Sequence, residues 1–165
     1  MRTIKVCNIL WVCALILMLT CSQGCGQTSE DTLSQKESYD FTLEDLEGKV
    51  TSLSQFREKS WVLLYFWATW CPHCGKSIPW MEEAHESYSE RLKILAINIG
   101  VHDSLKQVRG YKRRYGITYT ILYDKGSTVS KRYHIRGVPT YILIDPQGIM
   151  RYYSFSPPNL KRFIE

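Results

Sequence analysis

Seven residues in a row, Trp61-Val62-Leu63-Leu64-Tyr65-Phe66-Trp67, are apolar or aromatic. That run does more than any other feature to limit the fold. A strand with one wet face would alternate polar and apolar residues, whereas this one has no polar face. It reads as a central strand covered on both sides, the situation found in sheets flanked by helices. Leu92 to Ile99 is a second such strand.

The intervening segments carry helical signals. Ile78, Met81, Ala84 and Tyr88 recur at helical spacing within 71–90, with Pro79 as an expected kink. Asp103 is the expected cap of a helix running to about Tyr115, with Gly116 as its stop. Thr120 to Tyr123 reads as a short strand and 127–134 as a short helix. Tyr141–Ile144 and Ile149–Tyr153 read as strands joined by Asp145-Pro146-Gln147-Gly148, which has type I turn chemistry. Ahead of them all, Phe41-Thr42-Leu43 and Val50-Thr51-Ser52-Leu53 flank Glu47-Gly48 as a short hairpin. The expectation is an α/β domain with a central mixed β-sheet flanked by helices and an N-terminal β-hairpin extension.

The chain of 165 residues has room for one such domain and an appendage. The appendage is N-terminal. Arg2 and Lys5 precede an unbroken apolar run of 11 residues, Ile9 to Leu19. A positive start and an apolar stretch of this length describe an export signal. The most generous count, Val6 to Cys21, is 16 residues, short of the ~20 a spanning helix wants. Residues 1–24 are therefore read as a signal peptide or N-terminal membrane anchor. Residues 25–39, polar and without periodicity, are read as a flexible tether, and 40–165 as the folded domain. Ser22-Gln23-Gly24 has the small-x-small form of a cleavage site, directly before Cys25.

Charge says little about partners. The net charge is +5, and without Arg2 and Lys5 the chain holds 19 basic and 16 acidic residues. No nucleic-acid partner is expected from so mild a balance. Lys112-Arg113-Arg114 with Arg109 reads as a solvated helix face, and His85, His102 and His134 as surface or satisfied core residues.

Cysteine placement says more. Cys7, Cys13, Cys21 and Cys25 all precede the domain, which holds only Cys71 and Cys74. A pair spaced C-x-x-C has four uses. As a structural disulfide it closes too short a loop to remove much unfolded-state entropy. As a zinc site it lacks a second pair, and no metal is expected. Covalent haem needs a His directly after the second Cys, where Gly75 stands. A redox pair between a strand and a helix fits. Exchange needs a thiolate. Cys71, at the helix N-terminus with its free N–H groups, is the expected exposed nucleophile. Cys74, one turn in, is the expected resolving thiol. His73 adds a positive or N–H-donating neighbour, and Pro72 stiffens the bend.

The run Trp67-Ala68-Thr69-Trp70-Cys71-Pro72-His73-Cys74, with Pro79 five residues on, resembles a thioredoxin-fold active site. Gly137-Val138-Pro139-Thr140 resembles that fold's cis-proline loop. Asp40-Phe41-Thr42-Leu43 through Gly48, with Leu53-Ser54-Gln55-Phe56, is similar to the TlpA/ResA-like (redoxin) membrane-tethered thiol–disulfide oxidoreductases. The resemblance spans about 40–156. It implies a cis Pro139 packed on the cysteine pair, Val138 offering its backbone to a substrate strand, and Trp70 flanking the site and touching substrate. Cys25, or alternatively Cys21, resembles the lipidated cysteine of a bacterial lipoprotein. Four features depart from the family. Tyr65 stands where thioredoxin has a buried Asp, and Ser77 where ResA-like reductases have a Glu. The C-terminal helix is short. Cys-Pro-His-Cys, with Val138 before the proline, resembles the oxidising DsbA motif.

The expected function is disulfide exchange with protein thiols in the cell envelope, on the extracytoplasmic face of the membrane. No diffusible cofactor is expected, but an envelope redox partner must recycle the pair. Whether the pair oxidises or reduces stays open, with a lean toward oxidation. The rivals are a copper-binding chaperone, which would use C-x-x-x-C and a His near Pro139, and a thiol peroxidase.

Overall fold

The computed structural model describes residues 36–165. A hairpin leads, with β1 (Thr42–Glu44) antiparallel to β2 (Val50–Ser52) and Thr42 opposite Ser52. Five further strands form one mixed sheet: β3 (Trp61–Trp67), β4 (Leu92–Asn98), β5 (Thr120–Tyr123), β6 (Thr140–Ile144) and β7 (Met150–Ser154), in the spatial order β5-β4-β3-β6-β7. The β5-β4-β3 half is parallel. β6 runs antiparallel to β3, and β7 antiparallel to β6.

β3 explains its own composition. Leu63, Tyr65 and Trp67 enter one core cluster, beneath the helices α1 (Pro72–Lys76), α2 (Ile78–Ser87), α3 (Leu105–Tyr115) and α5 (Leu160–Ile164). Val62, Leu64 and Phe66 enter a second cluster on the opposite face, with Phe41, Leu53, Val129 and Tyr133. Successive side chains of a strand point to opposite faces, so a strand buried on both needs apolar residues at every position. Val129 belongs to the short α4 (Thr128–Arg132).

Three expectations are corrected. The helix expected over 71–90 is two helices, broken at Ser77. Pro79 is not a kink inside it but lies in the first turn of α2, where a missing N–H costs nothing. Its ring cannot tolerate the helical carbonyl four residues back, at Gly75, so the chain breaks between the two. Asp103 does not cap α3. Ser104 does, through a reciprocal capping box with Gln107, while Gly116 ends the helix at φ 63° as expected. Lastly, residues 36–39 of the expected tether are held against the sheet. Glu37 bridges to Ile149, Ser38 N–H donates to the Gly148 carbonyl, and Met150 N–H donates to the Lys36 carbonyl.

The basic face of α3 is partly structural as well. Arg109 donates to the Leu46 carbonyl from Nε at 3.0 Å and Nη2 at 2.6 Å, and Lys112 pairs with Glu47 at 3.2 Å. These bonds tie the hairpin to the domain. The Asp145–Gly148 turn closes as expected, with Gly148 at φ 86° and the buried Asp145 accepting from Ile149 N–H and Arg151 Nε.

Candidate active site

The parallel strands β3, β4 and β5 end at one edge of the sheet, and the chain leaves β3 there as Ala68-Thr69-Trp70-Cys71. This loop is stapled to the one following β4. Asp103 accepts Thr69 N–H at 2.8 Å on Oδ2, and its Oδ1 accepts the Thr69 hydroxyl. Asn98 Nδ2 donates to the same Oδ2 at 2.7 Å, and Trp70 Nε1 donates to the Val101 carbonyl at 2.7 Å. Asn98 and Asp103 are both buried. A buried carboxylate is tolerable only when its lone pairs are taken, as they are here. The staple orients the backbone that presents Cys71, a role the sequence reading gave to no residue. The capping signature Ser104-x-x-Gln107 was the clue that freed Asp103 for it.

Cys71 and Cys74 are joined as a disulfide, Cα to Cα 5.3 Å. Cys71 is the N-cap of α1, and its Sγ accepts Cys74 N–H at 3.2 Å. Because α1 has five residues, this local donor, rather than the dipole of a long helix, is what favours a Cys71 thiolate. The Val138–Pro139 peptide is cis, as the resemblance implied. The Val138 carbonyl lies 3.5 Å from Cys71 Sγ. Cys71 is less open than expected, at 5% exposure against 1% for Cys74. Its open neighbour is Trp70, at 51%. Pro72 and His73 are exposed. His73 contributes its carbonyl to the local bonding, accepting from Ser77 Oγ at 3.3 Å.

The space behind Cys74 holds hydroxyls in place of carboxylates. Tyr65 OH donates to the Cys74 carbonyl at 3.0 Å, and Tyr141 OH bonds Ser77 Oγ at 2.6 Å. The two rings pack with centroids 5.0 Å apart. Burial drives the Tyr65 phenol well above its ordinary value, and Tyr141 adds to the shift. Tyr65 therefore stays protonated and works as a fixed donor, not as a base. Gly75 lies under Tyr111, where a Cβ would stand 3.1 Å from the Tyr111 hydroxyl. Trp67 is core, and His102 and His134 are exposed.

Residues 35–153 match the AhpC/TSA family. The chain belongs to that family. It is 32% identical to the thioredoxin-like protein YneN of Bacillus subtilis, over 86% of each chain. It is 33% identical to the thiol-disulfide oxidoreductase ResA of Bacillus thuringiensis, over 81% of this chain and 80% of that one. The crystal structure of StoA from Bacillus subtilis superposes with a TM-score of 0.64 at 24% identity, covering 75% of this chain and 92% of the other. As an AhpC/TSA-family protein of thioredoxin fold, the chain is a thiol–disulfide oxidoreductase, and its C-x-x-C pair, Cys71–Cys74, forms a disulfide.

Proposed function

We propose that this oxidoreductase works outside the cytoplasm, tethered to the membrane by its N-terminus, and exchanges disulfides with protein thiols on the oxidising side of thioredoxin. The observation that carries the chemistry is the covered disulfide with Cys74 N–H on Cys71 Sγ and the cis-Pro139 loop against it. A partner thiolate attacks Cys71 Sγ, and the Cys71–Cys74 bond breaks, leaving Cys74 reduced. A second partner thiolate then displaces Cys71, so the partner leaves with a disulfide and the pair holds two electrons. The reverse sequence reduces a partner. Either way the redox group is the disulfide, no diffusible cofactor takes part, and an envelope redox partner resets the pair. Two features support the oxidising direction. The carboxylates that would handle the Cys74 proton in a reductant are replaced by hydroxyls, which bond the Cys74 carbonyl and each other rather than a sulfur, and His73 adjoins the pair, where it would favour the thiolate. Stabilising the reduced thiolate makes the disulfide a stronger oxidant.

The tether rests on the export signal of residues 1–24, which, with Cys21 and Cys25, lies outside the described residues. Among the described residues no helix is long and apolar enough to cross a membrane. A lipid on Cys25, or on Cys21, would supply the anchor, and mass spectrometry of membrane fractions reads it directly.

The decisive measurement is the reduction potential of the Cys71–Cys74 pair in the full-length chain, followed by tryptophan fluorescence. A value nearer roughly −120 mV than roughly −270 mV supports disulfide donation. A value at the lower end overturns the direction and makes the protein a reductant. Cys71→Ser abolishes exchange in both cases. Residual exchange in that variant would remove Cys71 as the nucleophile.

A further inference from the structure

One hollow lies beside the pair, and a second shares Arg136 with it. The first, about 420 Å³, borders Cys71 through Trp70 and Val138 and includes Lys131. The second, about 560 Å³, carries Lys36, His134 and Phe155. The second hollow borders the first at Arg136, and the two together are called the trough. A Cβ on Gly137 would stand 3.5 Å from Phe155 Cε1, so Phe155 lies against the loop that holds Val138. Trp70, Val101 and Phe155 are 51%, 38% and 58% exposed, a concentration of open apolar surface beside the redox pair.

Among the described residues, the fixed charges that line the two hollows are Lys36, Lys131 and Arg136. No carboxylate among the described residues lines either hollow. The loops at this end of the sheet (68–71, 99–104, 124–127, 133–139 and 155–159) hold two acids, Asp103 and Asp124, and both are buried, while the segment that brings Lys36 and Tyr39 to the second hollow also carries Glu37, paired with Arg57, and the exposed Asp40, which accepts Ser54 N–H. Asp103 is taken by Thr69 and Asn98, and Asp124 by the Val129 and Ser130 N–H groups and the Thr128 and Ser130 hydroxyls. Among the described residues Lys36, Lys131 and Arg136 make no ion pair. Lys131 Nζ donates to the Gly126 carbonyl at 3.1 Å and Lys36 lies over the Tyr39 ring, contacts that neutralise neither charge, and Arg136 is exposed.

Resting on the reading that the pair exchanges with protein thiols, we infer that this trough receives an extended partner segment that is apolar and acidic beside its reactive cysteine. The apolar side chains cover Trp70, Val101 and Phe155, and the acids meet Arg136 and Lys131. Complementary rim charge acts on encounter and partner choice more than on the chemical step.

The test uses the reduced full-length chain and two heptapeptides with equal apolar content, flanked by glutamates or by lysines. Each carries its cysteine as a mixed disulfide with 2-mercaptoethanol. Cys71 displaces one sulfur of that disulfide and Cys74 the other. Two electrons pass to the substrate, and the two thiol protons end on the released peptide and mercaptoethanol. The acidic peptide is expected to react about tenfold faster at low ionic strength, with the ratio shrinking as salt rises. Arg136→Glu is expected to collapse or invert the ratio, which cancels any general loss of activity in that variant. Lys49→Glu, an equal charge change on the distant hairpin, is expected to leave it alone. Equal rates for the two peptides overturn the inference, as does a ratio that Lys49→Glu moves as much as Arg136→Glu. A dimer at the assay concentration that Arg136→Glu dissociates would place a second copy in the trough and overturn it too. Exchange of the unmodified chain with neutral bis(2-hydroxyethyl) disulfide separates the two readings. If that reaction proceeds without peptide discrimination, only the trough fails; if it is absent, the redox reading fails and takes the trough with it.

Discussion

The surroundings of Cys71 and Cys74 are built from opposite materials although the two sulfurs are bonded. In front of Cys71 lie an open indole, a cis-proline loop and a hollow bordered by Lys131 and Arg136. Behind Cys74 lie two packed, buried tyrosines and a half-buried serine hydroxyl, all uncharged. The front is adaptable surface held by a buried carboxylate from another loop. The rear is core. The proposal therefore puts partner choice at the front, where side chains can change without unfolding the domain. The rear sets rigidity, and its hydroxyls keep their protons through the working pH range.

The strongest way to break this contrast is to empty the rear. Tyr65→Ala removes a fully packed ring and its bond to the Cys74 carbonyl. We expect a loss of about 3–5 kcal/mol of stability in urea unfolding. Tyr65→Phe keeps the packing and is expected to cost about 1–2 kcal/mol while leaving the reduction potential unchanged. A potential that moved with this neutral exchange would erase the distinction between rear and front.

Asp103→Ala attacks the front from beneath. It leaves Thr69 N–H and Asn98 Nδ2 without their acceptor, for an expected cost of about 3 kcal/mol. Trp70 should loosen with the loop, seen as a shift in tryptophan emission and slower exchange at an unchanged fold by circular dichroism. Normal exchange in a destabilised variant would reduce Asp103 to a purely structural role.

Alkaline pH sharpens the contrast. Burial raises the phenols of Tyr65, Tyr119 and Tyr133 above the ordinary value. The unfolded chain gives up these protons near pH 10 while the folded chain keeps them. Above that pH the unfolded state binds fewer protons, so stability falls as pH rises and is fully present below it. The expected slope is about 1.4 kcal/mol per pH unit for each such group, read from urea midpoints, and Tyr65→Phe should lessen it by one group. A flat profile from pH 9 to 11.5 would contradict the burial of these rings.

Gly75→Ala gives the smallest effect. The helical gain of about 1 kcal/mol opposes the 3.1 Å approach to the Tyr111 hydroxyl, so the net change should be near zero. In a Tyr111→Phe background the same substitution should stabilise by more, and a double-mutant cycle in urea reads the coupling.

Periodicity and turn chemistry are local, and what depended on them was legible in the chain alone. The unbroken apolar run required a strand buried on both faces. Gly116 and Asp145-Pro146-Gln147-Gly148 announced their own stop and turn. The C-x-x-C pair between strand and helix named the redox site, and the Gly137–Thr140 motif identified its cis proline by resemblance. What tertiary structure decided was every role that depends on a distant neighbour. Asp103 looked like a helix cap until the β3 and β4 loops met and gave it Thr69 and Asn98. Arg109 and Lys112 looked like solvated charge until the hairpin folded onto α3. Arg136, Lys131 and Phe155 had no local pattern to mark them, since they lie far from Cys71 in sequence and share a surface with it only because the sheet brings those loops to one edge. Periodicity measures what a residue does to its own turn or strand. Packing decides which remote groups it must satisfy.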